Sequence, residues 1–132
     1  MAAIELAPGA SKNPLAVQMA ALMGERLETH PERCGSFERL GGRVAIVAQD
    51  TGACLTMRFS DRRAVFFDGI VGIPDLTLRG PSALVQSITS AQGTGLRARE
   101  MASQVRRGQL QIHGLPGGFG LLTRLSLILA ID

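Results

Sequence analysis

The closing segment, residues 108–131, constrains this chain more than any other part of it. It opens as a short alternating strand over residues 109–113. Leu110 and Ile112 fall on one face, with Gln109, Gln111 and His113 on the other. A turn holding Gly114, Gly117, Gly118 and Gly120 follows. The chain then reads Leu-Leu-Thr-Arg-Leu-Ser-Leu-Ile-Leu-Ala-Ile. At about 100° per residue, Leu121, Leu122, Leu125, Ile128 and Leu129 form one helical stripe. Phe119, Leu127 and Ile131 lie off it. A helix this apolar is either buried on several sides or lines a cavity, and the choice between these decides what the protein does.

The rest of the chain must supply what that helix packs on. Asn13 and Pro14 are a cap and a first-turn proline, so a helix is expected from there, with Leu15, Met19, Leu22, Met23 and Leu27 at helical spacing. His30-Pro31 ends it, and residues 36–40 allow one more turn before Gly41-Gly42. Residues 43–49 form an apolar run fit for a covered strand. Residues 54–60 alternate, with Leu55, Met57 and Phe59 opposing Cys54, Thr56, Arg58 and Ser60. Residues 63–68 carry Val65, Phe66 and Phe67, and Asp68-Gly69 is a hairpin signal. Residues 73–79 place Leu76 and Leu78 opposite Asp75, Thr77 and Arg79. These four strands are expected to make an antiparallel meander. Two helices follow, one opened by Pro81 and carrying Leu84, Val85 and Ile88, the other over residues 96–107 with Met101 and Val105. The fifth strand, 109–113, must return to the sheet through them. The expected class is α+β, a five-stranded mixed and mostly antiparallel sheet covered by helices.

A chain of 132 residues is one domain in length and buries roughly two-thirds of its unfolded surface without a metal or disulfide staple. Residues 1–12, punctuated by Pro8, Gly9 and Ser11, read as a flexible leader, and residues 13–132 as the domain. Cys34 and Cys54 fit no ligand spacing and read as free thiols. No secretory signal is visible, and the final helix, about 15 residues with Arg124 inside it, is too short to span a bilayer. The expected location is the cytoplasm. The net charge is +3, and apart from Lys12 every basic residue is an arginine. These are scattered among acids, and Trp and Tyr are absent. Base-stacking platforms need aromatics, so nucleic acid is not an expected partner. Transient attraction to an anionic membrane surface is compatible with the charge.

The order of elements, with Asp75-Leu76-Thr77-Leu78 after the strands and Gly108-Gln109-Leu110-Gln111-Ile112-His113-Gly114 before the closing helix, resembles the sterol carrier protein domain, the non-specific lipid-transfer family. Gly118-Phe119-Gly120-Leu121-Leu122 stands where that family's closing helix begins. The resemblance spans residues 14–130. It implies a sheet covered by helices around an apolar tunnel for lipids. The chain departs from the family in a longer, glycine-rich segment 89–99, in His113 before Gly114, and in ending Ala-Ile-Asp rather than with a peroxisomal address. The last departure points to a bacterial-type protein.

Composition gives partial support for a cavity, because Met19, Met23, Met57 and Met101 suit an adaptable pocket as well as an ordinary core. Catalytic chemistry finds little support. Gly93 to Ala98 matches G-x-G-x-x-A but follows no strand and is followed by no ribose-binding acid. No carboxylate lies close to His113 in sequence, neither histidine is expected to ligate a metal, and no base activates Cys54. No pair of carboxylates is spaced for acid–base work. The amides of the turn at 114–120 offer a secondary reading as an anion site.

The sequence therefore predicts a non-enzymatic carrier, needing no cofactor or metal. It would take a fatty acyl, phospholipid or isoprenoid ligand in a pocket formed by Met57, Phe66, Leu84, Ile88, Met101, Phe119, Leu122, Leu125 and Leu129. The alternative is an accessory scaffold presenting polyprenyl intermediates of the ubiquinone type to biosynthetic enzymes. The entrance is expected at the turn 114–120.

Overall fold

A computed structural model describes residues 3–83, 85, 107–108, 110–114, 117–118, 120–121 and 124–125. They form a mixed α+β fold. Six strands make one sheet: β1 (Ala3–Leu6), β2 (Gly42–Ala48), β3 (Cys54–Ser60), β4 (Arg63–Asp68), β5 (Leu76–Gly80) and β6 (Gln111–His113), in the order β1-β4-β3-β2-β5-β6. The helices are α1 (Pro14–Thr29) and the short α2 (Cys34–Glu38). Ser82, Ala83 and Val85 are helical, as are Gly120, Leu121, Arg124 and Leu125.

Helix α1 begins where the sequence places it. Asn13 Oδ1 accepts from the amides of Leu15 at 3.0 Å and Ala16 at 3.4 Å, satisfying donors that a helix start leaves orphaned. Its Nδ2 donates to Cys54 O at 2.7 Å and Asp68 Oδ1 at 2.8 Å. One buried asparagine thus caps the helix and ties it to the ends of β3 and β4. Leu15, Met19, Leu22, Met23 and Leu27 are buried, one stripe of the helix against the sheet.

The register defines two unlike sheet faces. Phe66, Met57, Val44 and Leu76 are side-by-side partners across β4, β3, β2 and β5, and Leu55, Ile46, Leu78 and Ile112 make the next row. This inner face lies beneath α1 and carries the core, together with Phe37, whose ring meets Phe59 edge-on at 6.4 Å. The outer face presents Arg58, Arg43, Thr56, Ala45, Thr77, Arg79 and His113.

Two expectations need correction. The meander stops after three strands. Asp68-Gly69 does not close a hairpin; instead β5 joins the far side of β2 in parallel, and residues 69–75 cross the outer face to reach it. Gly69 does adopt φ +78°, the left-handed geometry that marks a turn, but the turn launches a crossover. Thr56 anchors that crossover: its hydroxyl donates to Gly69 O at 2.7 Å and accepts from the Val71 amide at 3.0 Å. This bracket accounts for a fully buried threonine beneath the crossover. Among the described residues the strand count is also six, not five. Residues 3–6, expected within a loose leader, pair in parallel with β4 over Ala3↔Arg63 to Leu6↔Phe66. The mixed character of the sheet comes from these two parallel pairings.

Candidate functional site

The site is built where the closing turn meets the start of β5. Asp75 is its centre. The Asp75 carboxylate accepts the Arg43 amide at 2.8 Å, and the Asp75 amide donates to Arg43 O at 2.9 Å, so both strand starts are locked together. Gly42 has φ +108°, and a Cβ there would come 2.6 Å from Asp75 Oδ2. The turn presses on the same residue from the other side. Gly114 has φ +106°, and an added Cβ would meet the Asp75 carbonyl at 2.1 Å; at Gly118 it would meet that carbonyl at 3.1 Å and Leu76 Cδ1 at 3.2 Å. The Gly118 amide donates to Gly114 O at 2.7 Å, closing the turn on itself. Glycine is required here because two backbones touch, which no side chain would permit.

Beside this contact a half-open cleft of about 310 Å3 is lined by Gly41, Gly42, Asp75, Gly117, Gly118, Gly120, Leu121 and Arg124. Leu121 is buried and gives an apolar wall, while the exposed Asp75 and Arg124 give one charge of each sign. Arg124 Nη1 donates to Arg39 O at 3.4 Å. The cleft is thus amphipathic: Asp75, Arg124 and the turn glycines stand beside the buried Leu121.

Of the nine expected pocket residues, three are described. Met57 and Phe66 are cross-strand neighbours, wholly buried on the inner face, and Leu125 is wholly buried in the same core cluster. None of the three lines the cleft described above. Leu84, Ile88, Met101, Phe119, Leu122 and Leu129 lie outside the described residues. Asp75 and Arg124 were not foreseen as a pair, although the Asp-x-Thr motif and the arginine interrupting the closing helix were both visible signals.

The remaining chemistry-bearing residues stand apart. His113 is exposed on the outer face with Thr77 as its strand partner. Cys34 and Cys54 are free. Among the described residues no three His, Cys, Asp or Glu side chains converge on a point that could hold a metal ion, and no helix is long and apolar enough to cross a membrane. Asp50 sits at the far end of the sheet, accepting from the Ser82 amide and hydroxyl, each at 2.8 Å. The Ser82 hydroxyl, and then the amide, hold its carboxyl below the usual range. It caps the helical turn at Ser82.

No family model and no curated protein matches this sequence. The fold does have solved counterparts. The ubiquinone synthesis protein UbiJ-SCP2 superposes with a TM-score of 0.66 at 13% identity, covering 87% of this chain and 91% of its own. A conserved hypothetical protein of Thermus thermophilus, described as a candidate sterol carrier protein, gives a TM-score of 0.44 at 12% identity over 90% of each chain. The chain has the sterol-carrier-type fold that the order of its motifs led us to expect.

Proposed function

From a sterol-carrier-type fold as premise, we propose that this protein is a non-catalytic cytoplasmic carrier that binds a hydrophobic, lipid-like ligand beside its closing helix. The observation that supports this most is the amphipathic cleft at the junction of glycine turn and helix. A lipid has the matching polarity. Its polar head meets Arg124, and its chain meets Leu121, the apolar wall of the cleft. Removal of apolar surface from water, at roughly 25 cal/mol per Å2, drives the association, and the charge at Arg124 orients it. No step in this function makes or breaks a bond.

Native mass spectrometry of the full chain, purified without detergent and compared before and after lipid extraction, tests the reading. Co-purified lipid, or binding of a fluorescent fatty acid after extraction, is expected. Finding neither sinks it. Arg124→Gln should weaken binding of a free fatty acid by about tenfold while leaving an uncharged analogue unaffected.

The scaffold reading is favoured by one observation, the likeness in fold to a protein described as acting in ubiquinone synthesis. On that reading the ligand is a polyprenyl intermediate and the partners are biosynthetic enzymes. Recovery of such enzymes as a set in a pull-down favours it; exchange of lipid between vesicles with the protein alone favours the carrier.

A further inference from the structure

The crossover on the outer face exposes apolar side chains that the fold does not need there. Five large hydrophobic residues are exposed among the described residues, and three of them, Ile70, Val71 and Ile73, lie within this one loop. Ile73 is 85% exposed, Ile70 49% and Val71 38%. Single exposed hydrophobics are ordinary; a cluster on one short segment asks for a partner. The loop is also held rigidly at its base. The Thr56 hydroxyl takes both Gly69 O and the Val71 amide, and Gly72 lies so close on Arg43 that a Cβ would come 2.9 Å from the guanidinium carbon. The apolar side chains are therefore presented outward from a fixed platform.

The charges around that platform specify the partner. On the outer face the strands present Arg43, Arg58, Arg63 and Arg79 against a single acid, Glu5, which Arg63 engages at 3.6 Å. Arg58 also lies 5.4 Å from the Phe67 ring centroid. Two further exposed acids stand at the loop's ends and accept from neutral donors, Asp68 from Asn13 and Asp75 from the Arg43 amide, so the four arginines face three acids in all. An apolar tip backed by arginines matches a surface that is apolar beneath a layer of negative charge.

We infer that residues 70–73 and the outer-face arginines form a docking surface for an anionic phospholipid bilayer. Ile70, Val71 and Ile73 enter the interfacial region, and Arg58 and Arg79 meet headgroup phosphates. The loop ends at Asp75, which lines the cleft, so docking brings the mouth of the cleft to the membrane surface. The inference reaches past the carrier reading, because the surface is complete whether or not the cleft holds a lipid.

The full chain is tested by sedimentation with vesicles of phosphatidylcholine alone or mixed with phosphatidylglycerol. Binding to the mixed vesicles, weakening as salt is raised, is expected. The pair Ile70→Ser and Ile73→Ser should lower partitioning by at least about tenfold. The pair Arg58→Gln and Arg79→Gln should lower it by about thirtyfold. All four side chains are exposed, so thermal midpoints should stay near wild type and confirm that both variants fold. Equal sedimentation with neutral and mixed vesicles overturns the inference, as does binding that neither variant changes. A concentration-dependent dimer that Ile70→Ser with Ile73→Ser abolishes, without vesicle binding, assigns the loop to a second copy instead. Fatty-acid binding separates the two proposals: vesicle docking without it sinks the carrier alone, and fatty-acid binding without docking sinks this inference alone.

Discussion

The two faces of the sheet are made by the same strands, residue by alternate residue, yet they answer to different demands. The inner face, from Phe66 through Met57 and Val44 to Leu76, is entirely excluded from water and committed to the core. The outer face is crossed by one loop and mixes arginines, His113 and Gln111 with Val47, Val65 and Phe67. The inner face is specified by volume, so a change there costs stability. The outer face is specified by charge and by two hydrogen bonds, so a change there alters what the protein touches. This separation lets one small sheet hold a fold and present a surface at once.

Substitutions on the two faces test this contrast. The largest effect is expected inside. Phe66→Ala should lower the stability read from urea denaturation by about 3–5 kcal/mol, since a wholly buried ring leaves a cavity behind. A loss below about 1 kcal/mol would mean that the inner face already holds free space there. Gly114→Ala comes next. Its positive φ and the 2.1 Å approach of a Cβ to the Asp75 carbonyl should cost about 3 kcal/mol. Gly69→Ala shares the positive φ but meets nothing within 4 Å, and should cost only about 1 kcal/mol. Equal losses at the two glycines would show that the turn does not press on β5.

Thr56→Val tests the seam between the faces. It keeps the shape but strips the Val71 amide of its acceptor, and should cost about 1–3 kcal/mol and speed exchange of the loop amides. The smallest effect belongs to Asp50, which is fully exposed. Its carboxyl is held low in the folded chain, mainly by the Ser82 hydroxyl. Its contribution is therefore present above the ordinary carboxylate pKa of 3.8 and is lost as pH falls through that value toward the lowered one. Asp50→Asn should lower the urea midpoint slightly at pH 7, and by progressively less as the pH is taken below 3.8. A larger loss at pH 2 than at pH 7 would reverse the assignment.

Alternation and capping made much of the sequence legible. Asn13-Pro14 gave the start of α1, and β3 and β4 follow the alternation at 54–60 and 63–68. The crossover was hidden because Asp68-Gly69 carries the same local signal whether the chain turns back or crosses over; what decides is the row of Val44 and Ile46 waiting beyond β3 to pair with Leu76 and Leu78. Strand β1 was hidden because four residues are too few to show a period, and its partner lies some sixty positions on. At the site, the glycine turn and the Asp-x-Thr motif were both visible, but not that they touch. Asp75 acts on Arg43, thirty-two residues earlier, and on Gly114 through its carbonyl, a contact to which side-chain identity is blind.

The strand order has one more consequence, for life at high concentration. A sheet's outermost strands are where another chain can add itself by hydrogen bonding and begin a fibre. Here the longer strands β2, β3 and β4 are interior, and the ladder is closed off among the described strands by two stubs, β1 of four residues and β6 of three. So little unpaired backbone gives an incoming strand almost no template. The exposed Ile70, Val71 and Ile73 therefore sit on a crossover loop, away from any long free strand edge among the described residues.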